Sequence, residues 1–308
     1  MKAFSVTILG CGSATPTKLR YPSSQLINIH DKLILLDCGE GTQMQMRRFF
    51  IKNNRINYIL ISHLHGDHYL GLMGLLFTFH LFGRTEEMHL YAPQDLKEII
   101  DLQLKVSKSQ LLYPLIFHAI TSDTKDLLFE SNTFKVFSFP LQHSVPCWGF
   151  VFEEKETGCK IKKSFIEQEH PNIEDIQKIK KGEDYINIEG VIFKNEEITM
   201  PGDALRSYAY CSDTLYDENI IPYIENTTLL YHEATFMHDK ADIARQKFHA
   251  TAKEAATIAC KANVKKLILG HFSARYEDTF PLLSEAREYF PNTVEAEDGL
   301  KIEVNSSI

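Results

Sequence analysis

The sequence has few glycines, prolines and cysteines, and it lacks a long apolar run. Its 308 residues include 15 Gly and 11 Pro, which excludes collagen-like and low-complexity chains. The 20 Phe and 13 Tyr supply an aromatic core that disordered chains lack. The longest apolar stretch, Tyr69 to Gly83, is too short to span a bilayer. We therefore expect a soluble globular protein of one or two domains, with no membrane partner.

Cysteine use and net charge indicate the compartment and the kind of partner. The six cysteines form no CxxC pair and show no regular spacing, which favours reduced thiols in a cytoplasm. Residues Ala3–Leu9 alternate like a strand and lead into no signal-peptide cleavage site, so we expect a cytoplasmic protein. The formal net charge of −8 argues against general coating of nucleic acid but leaves room for a local basic surface.

Strand-like and helix-like patterns alternate in both halves of the chain. Short β-branched runs such as Tyr58–Ile61 predict strands, and the apolar run Leu70–Phe82 predicts a covered helix. Thr251 and Glu254 match a capping box, which predicts that a helix begins at Ala252. The alternation predicts an α/β fold in which helices pack outside the sheets.

The segment 155–200 differs from the rest of the chain. Its apolar periodicity is weak and charge dominates, with the run Lys-Ile-Lys-Lys at 160–163 and again at 178–181. One interpretation is a solvated insertion. The other is an arm that contacts an anionic partner through its lysines.

One short run concentrates the side chains that bind metals. Directly after the predicted strand comes His63-Leu64-His65-Gly66-Asp67-His68. Imidazole and carboxylate are both ligand types for zinc. Strand spacing places His63 and His65 on the same face, and Gly66 permits a sharp turn, after which the next two ligands can approach a second ion. The pattern predicts a metal site at the rim of a sheet.

Three later residues complete the ligand set. Each is a ligand-type residue just past an apolar strand, where loops gather at one rim of a sheet: His143, Asp213 and His271. Taken with the earlier run, they complete two coordination shells with Asp213 as the bridge. Each of them alone would more often have a structural role.

These residues resemble the metallo-β-lactamase superfamily, and further motifs resemble the ribonuclease Z family within it. The motifs are Asp37-Cys38-Gly39-Glu40-Gly41-Thr42-Gln43, His232-Glu233-Ala234-Thr235-Phe236, His249-Ala250-Thr251 and His271-Phe272-Ser273-Ala274-Arg275-Tyr276. The resemblance runs from about residue 3 to residue 304. It implies an αββα sandwich, with two mixed sheets and helices on both outer faces. It further implies a single domain over 1–308, with a flexible, protruding tRNA-binding arm inserted at 155–200.

The resemblance also implies an activity, a cofactor and site residues. One Zn²⁺ is expected on His63, His65 and His143, the other on Asp67, His68 and His271, with Asp213 bridging; other divalent ions suit the same ligands. The expected reaction is removal of the 3′ trailer from precursor tRNA by attack of a metal-activated water, which leaves a 3′-hydroxyl on the tRNA. The resemblance assigns three catalytic roles: Asp67 orients the water, His249 donates a proton to the leaving oxygen and Glu233 orients His249.

The expected partners are precursor tRNA and a second copy of the chain, since short ribonuclease Z enzymes act as homodimers. The expected contacts to tRNA are Lys178, Lys180 and Lys181 at the base of the arm, and Lys18, Arg20 and Ser23 near the metals. The Gly-Pro pair common at the tip of the arm is absent, and His170-Pro171-Asn172 takes roughly that place.

Two other functions stay open at this point. One is a metallo-β-lactamase-fold hydrolase of a small phosphodiester or thioester substrate. The other is a non-catalytic scaffold that binds RNA, although a scaffold has no need of a complete ligand set.

Overall fold

The computed structural model describes residues 2–156 and 158–305. The strands are β1 (Phe4–Gly10), β2 (Ser24–Ile29), β3 (Lys32–Leu36), β4 (Ile56–Leu60), β5 (Met88–Pro93), β6 (Leu115–Ile120), β7 (Asp126–Glu130), β8 (Phe134–Leu141), β9 (Cys147–Glu154), β10 (Lys160–Ile161), β11 (Tyr185–Ile186), β12 (Ile192–Phe193), β13 (Thr199–Met200), β14 (Ser207–Cys211), β15 (Leu229–Glu233), β16 (Leu267–Gly270), β17 (Thr293–Glu295) and β18 (Lys301–Glu303). The helices are α1 (Thr42–Arg48), α2 (Gly66–Tyr69), α3 (Leu72–Leu81), α4 (Asp95–Val106), α5 (Lys163–Glu169), α6 (Ile173–Lys180), α7 (Asn195–Ile198), α8 (Ile221–Ile224), α9 (Ala241–Gln246), α10 (Ala252–Lys261) and α11 (Phe280–Tyr289).

Two large sheets carry the fold. Within the described residues, each has seven strands, in the orders β18-β1-β2-β3-β4-β5-β6 and β17-β16-β15-β14-β9-β8-β7. Both are mixed: β1, β2 and β3 pair antiparallel and β3 to β6 parallel, while β7, β8, β9 and β14 pair antiparallel and β14 to β17 parallel. The predicted α/β sandwich of two mixed sheets is confirmed.

Strand β3 shows how the layers are built. Its side chains alternate between two cores, as the two-residue period of a strand requires. Ile34 and Leu36 join the core between the sheets, whereas Leu33 and Leu35 join the core under α1, α3 and α4. On the far side, α10 and α11 pack buried alanines and Leu282 onto the second sheet. The capping box predicted at Thr251 is present at the start of α10.

Two sequence predictions about this framework need correction. The helix within Leu70–Phe82 is not covered at its end, because Leu81 and Phe82 are 77% and 74% exposed. Strands β17 and β18 lie at the ends of their sheets, and neither is among the strands predicted from the sequence. Each has only three residues, which is too short for a two-residue alternation to stand out.

The segment 155–200, described except for residue 157, folds around a small core of its own. Strands β10 and β13 pair, as do β11 and β12. Helices α5, α6 and α7 surround buried Phe165, Ile179, Tyr185 and Ile198. His170 at φ +47 ends α5, and the Asn172 side chain caps α6 by accepting a hydrogen bond from Asp175 N. Among all the described helices of the chain, none is both long enough and apolar enough to cross a membrane.

Candidate metal centre

The ligand-type side chains follow the ends of strands in both sheets. After β4 the chain passes through His63 and His65 into α2, whose first turn carries Asp67 and His68. The second sheet supplies His143 after β8, Asp213 after β14, Glu233 at the end of β15 and His271 after β16. The structure brings these side chains together at one rim of the sandwich.

Four side chains form the first potential metal site: His63, His65, His143 and Asp213. One ligand atom from each lies within 4.8 Å of the others. His143 Nε2 lies 3.1 Å from His65 Nδ1 and 3.8 Å from Asp213 Oδ2, and His63 Nε2 is 3.6 Å from the same oxygen. Three nitrogens and one oxygen at these separations can surround one divalent ion.

The second potential site consists of Asp67, His68 and His271. His271 Nε2 lies 3.3 Å from both Asp67 Oδ2 and His68 Nε2. The other oxygen of Asp213, Oδ1, lies 3.2 Å from His271 Nε2 and 3.4 Å from His68 Nε2. Asp213 thus turns one carboxylate oxygen to each group, as a bridging carboxylate does.

The electrostatics favour ionised carboxylates beside the imidazoles. Burial raises the pKa of the Asp213 carboxyl, but His271 and His68 outweigh burial and hold that pKa well below its usual range. For Asp67, burial also opposes ionisation, and His68 and His271 again lower the pKa. Burial lowers the pKa of the His63 imidazole. Burial opposes protonation of His68, but the Asp213, Asp67 and Asp37 carboxylates outweigh burial and raise the pKa of His68. Carboxylate and neutral imidazole are the forms that bind metal ions, so cation binding at His68 would release its proton.

The hydrogen bonds of the imidazoles, and the buried polar atoms without a hydrogen-bond partner, indicate whether these residues fit bound cations. His68 Nδ1 lies 2.8 Å from Asp37 Oδ2, and His143 Nδ1 lies 2.8 Å from a backbone carbonyl oxygen. Both Nδ1 atoms therefore donate, and both Nε2 lone pairs point into the centre. His63 Nε2 and Asp213 Oδ1 are buried without a hydrogen-bond partner among the described residues, which is unfavourable unless another species satisfies them. The donor set therefore fits divalent cations.

Asp37, which follows β3, orients His68 and joins the two sheets. Its carboxylate accepts hydrogen bonds from His68 Nδ1 at 2.8 Å, Ser62 N at 2.7 Å and the Tyr210 hydroxyl of β14 at 2.7 Å. Asp37 also holds a left-handed backbone, at φ +51. No role is predicted for Asp37 from the sequence, although Asp37 lies directly after an apolar strand, which is the same signal that marks the ligands.

His249 and Glu233 form a pair beside the second group. His249 Nδ1 lies 2.8 Å from Glu233 Oε1. Burial lowers the pKa of His249, but the Glu233 carboxylate outweighs burial and raises the pKa to about 9. Thr235 Oγ1 lies 2.6 Å from Glu233 Oε2 and 3.0 Å from His271 Nδ1. Thr235 therefore links the pair to His271, a role that no local pattern predicts because His271 lies 36 positions further along the chain.

A cavity of about 330 Å³ opens onto the centre. Its lining includes Asp67, Asp213, His249 and His271, together with Ser13, Ala14, Pro16, Pro22, Glu40 and Leu70. The loop after β1 reaches the metal ligands, since Ala14 N donates a hydrogen bond to Asp67 Oδ2 at 2.6 Å. The predicted approach of this loop to the centre is therefore present in the structure.

Two of the predicted phosphate contacts on this loop, Arg20 and Ser23, are buried. Arg20 is 8% exposed and donates hydrogen bonds to the carbonyl oxygens of Tyr276 and Glu277, so its guanidinium ties two loops together. Ser23 is 2% exposed and is closed off from a surface-bound phosphate. Lys18 is exposed and stays a prediction.

The turn assigned to Gly66 also needs correction. Gly66 is the first residue of α2, and its φ does not lie in the left-handed region. The glycine that permits a close approach is Gly39, where a Cβ would lie 2.4 Å from Asp67 O. A larger residue at 39 would push the ligand helix α2 away from β3.

The predicted lysine contacts lie apart from the centre. Lys178, Lys180 and Lys181 are exposed at the C-terminal end of α6. Two of them, Lys180 and Lys181, line a groove of about 950 Å³ where the segment 155–200 meets residues 201–205. These lysines therefore lie on an open surface, and their contact with tRNA stays a prediction.

Comparison with solved structures defines the class. Human tRNase Z, short form, aligns with a TM-score of 0.73 and 27% identity, covering 98% of this chain and 99% of that one. The metallo-β-lactamase fold protein YhfI from Bacillus subtilis aligns with a TM-score of 0.69 and 19% identity, covering 98% and 100%. The chain therefore has the metallo-β-lactamase fold, and its paired His and Asp groups could hold metal ions.

Curated relatives narrow that class. The chain is 44% identical to ribonuclease Z of Bacteroides fragilis, covering 98% of this chain and 99% of the relative, and 44% identical to that of Parabacteroides distasonis, covering 99% and 100%. The chain belongs to the ribonuclease Z family, which confirms the predicted resemblance. Residues 4–155 also match the family model described as Anti-Pycsar protein Apyc1.

Proposed function

We propose that this protein is a metal-dependent endoribonuclease that removes the 3′ trailer from precursor tRNA and leaves a 3′-hydroxyl on the tRNA. The observation that carries this function is Asp213, which turns one oxygen to each of two His and Asp groups beside the His249–Glu233 pair. Membership of the ribonuclease Z family supports the substrate class.

We assign two Zn²⁺ ions to the centre. His63, His65 and His143 would hold one, Asp67, His68 and His271 would hold the other, and Asp213 would offer one carboxylate oxygen to each. Nitrogen-rich sets with a few carboxylate oxygens suit zinc. When bound, the ions withdraw electron density from a water molecule and from the phosphate oxygens, which makes the water a nucleophile near neutral pH.

The chain's own residues orient the attack and move the protons. The hydrogen bond and short ion contacts of Asp67 within the described residues involve Oδ2, which leaves Oδ1 to accept a hydrogen bond from the attacking water. His249 Nδ1–H donates to Glu233, so Nε2–H is the group presented to the leaving oxygen. In the metal-free protein the Glu233 carboxylate outweighs burial and raises the pKa of His249 to about 9. Glu233 thus favours the imidazolium, which would donate the proton that the ribose 3′ oxygen takes up as its bond to phosphorus breaks.

We propose that the segment 155–200 is the arm that binds tRNA away from the centre. Its separate small core and the exposed lysines at the end of α6 support this role. Polyanion binding by lysines is electrostatic and requires little sequence readout, so a protein with a net charge of −8 binds tRNA through one local basic surface.

Two further proposals concern assembly and compartment. A homodimer is expected from the family, and light scattering of the purified protein measures it. A cytoplasmic location fits the six cysteines, all of which lie in described residues and are unpaired, four of them buried.

The test is cleavage of a precursor tRNA with a 3′ extension. We expect one cut after the discriminator nucleotide, loss of cleavage with a chelator, and recovery with added Zn²⁺. Deletion of 155–200 is expected to abolish this cleavage and to spare hydrolysis of a small chromogenic phosphodiester. Cleavage that survives complete metal removal would contradict the proposed function, and tRNA cleavage that survives the deletion would contradict the role of the arm.

A further inference from the structure

Phe248 directly precedes His249, which lines the cavity, and contacts the metal-ligand candidate His143. It follows α9 with a left-handed backbone, at φ +58. Phe248 N donates to Arg245 O at 3.2 Å and His249 N donates to Ala244 O at 2.9 Å, which is how a left-handed residue ends a helix. These hydrogen bonds hold Phe248 and His249 in one fixed turn.

The same residue supports a metal ligand through its backbone. Phe248 O accepts a hydrogen bond from His143 Nδ1 at 2.8 Å, so its carbonyl sets the tautomer of that imidazole. The Phe248 ring lies nearly perpendicular to the His143 ring, with centroids 6.4 Å apart. The backbone of Phe248 thus serves the centre whichever side chain it bears, and the ring requires a separate explanation.

The Phe248 ring is open to solvent, unlike the other phenylalanines near the centre. It is 38% exposed, whereas Phe236 and Phe272 are 4% and 1% exposed. An apolar ring fixed next to the proton donor His249, which lines the cavity, offers a flat exposed surface beside that cavity. Aromatic rings in such positions stack with unpaired bases, and this contact tolerates any base because every base has a π-face.

We propose that Phe248 stacks against the base of the nucleotide on the tRNA side of the cut, the discriminator base. The inference rests on the proposed function, in which His249 donates its proton to the 3′ oxygen of that nucleotide. The ribose bearing this oxygen must lie against His249, so its base lies within reach of the adjacent ring. Stacking holds the nucleotide in register, so that the phosphodiester after it meets the metal centre.

Phe50 provides a matched control within the chain. It follows α1 at φ +55, with hydrogen bonds from Phe50 N to Arg47 O and from Ile51 N to Met46 O. The residue and the helix-ending motif are therefore those of Phe248. However, Phe50 is 92% exposed and follows a helix that contributes no ligand to the centre. Phe50→Ala measures the general cost of removing such a ring.

The experiment compares two precursor tRNAs, one normal and one with an abasic discriminator nucleotide. With the normal precursor we expect Phe248→Ala to lower kcat/KM about tenfold, Phe248→Tyr to restore it and Phe50→Ala to leave it unchanged. With the abasic precursor, wild-type protein and Phe248→Ala are expected to cleave at the same reduced rate. A ring that acted only through the fold would lower both rates by the same factor.

Three results would overturn the inference. They are an equal loss on both precursors, a normal rate for Phe248→Ala, and a loss that disappears only on a third precursor, in which the first trailer nucleotide is abasic. Metal content, measured for each variant, shows whether His143 keeps its place, and Phe248→Leu provides a second variant that retains an apolar side chain. Wild-type protein that cleaves neither precursor would contradict the proposed function itself, which is a separate outcome.

Discussion

In the metal centre, the ligands are buried or half-buried and several are held by a second polar group, whereas the lysines of the segment 155–200 extend from the surface. Asp37 and Thr235 fix His68 and His271. By contrast, Lys178, Lys180 and Lys181 make no ion pair within the described residues. The difference reflects two physical demands. Bond breaking needs donors held to fractions of an ångström, and gripping a polyanion needs charge at the right distance.

The two regions also differ in how firmly the surrounding structure supports them. The centre rests on strand ends of two seven-stranded sheets, cross-linked by the contact between Ser62 Oγ and Ser212 Oγ at 3.0 Å. The segment rests on a small core and on surface ion pairs such as Lys194–Asp184 at 2.8 Å, which contribute little to stability. A change in the centre is therefore expected to remove chemistry, and a change in the segment to weaken binding.

The largest effect is expected at the shared carboxylate. Asp213→Ala removes the ligand common to both groups and leaves opposed imidazoles without a neutralising charge. Loss of about 4 kcal/mol of transition-state stabilisation corresponds to a fall in activity of about 10³-fold. Cleavage assays and elemental analysis of bound metal measure it, with the exposed Asp242→Ala as control. Normal metal content together with normal activity would show that Asp213 is not a ligand of the metal centre.

A smaller effect is expected when the charge beside His249 is removed. Glu233→Gln keeps the shape of the side chain but not the charge that raises the pKa of His249 to about 9. In metal-free protein, NMR titration should show this pKa moving down towards the ordinary value of about 6.5. With metal bound, cleavage should slow by about 10²-fold, because fewer molecules carry the proton.

The sign of the accompanying stability change follows from the direction of the shift. Because folding raises the pKa of His249, the pair stabilises the metal-free protein fully below about pH 6.5, and this contribution disappears as the pH rises through about 9. Glu233→Gln should flatten that part of the stability curve in thermal unfolding. An unchanged stability curve and an unchanged His249 titration would mean that Glu233 does not favour the protonated form of His249.

Sequence patterns locate the ligands because each follows an apolar strand that can be recognised on its own. His143, Asp213 and His271 are found by this rule, and the family motifs single out His249. The roles of Asp37 and Thr235 cannot be predicted in this way, because these roles consist of contacts with residues 31 and 36 positions away. Such contacts are fixed by how the sheets pack, which no local pattern records.

Residue type alone misleads where the fold uses a polar side chain for itself. Arg20 carries the charge expected of a phosphate contact, yet its guanidinium is used by backbone carbonyls of another loop. The weak periodicity of 155–200 hides the core around Phe165 and Ile179, because four buried residues spread over short elements produce no regular pattern. Strand order within each sheet is likewise set by long-range pairing.

The smallest effect is expected from the lysines of the segment. Replacing Lys178, Lys180 and Lys181 together with alanine removes charge without touching the centre. We expect KM for precursor tRNA to rise about tenfold, kcat to hold, and hydrolysis of a small phosphodiester to be unaffected. The slope of log affinity against log salt concentration should become shallower by about one for each lysine that contacts a phosphate.

The matched control removes three exposed charges elsewhere, Lys97, Lys105 and Lys108 on and just after α4. Because both triple variants lower the net charge equally, a general electrostatic attraction would weaken tRNA binding to the same extent in each. A local binding surface would weaken it only in the variant of the segment 155–200. Equal losses, or a fall in kcat without a change in KM, would mean that the two regions do not divide chemistry and binding between them.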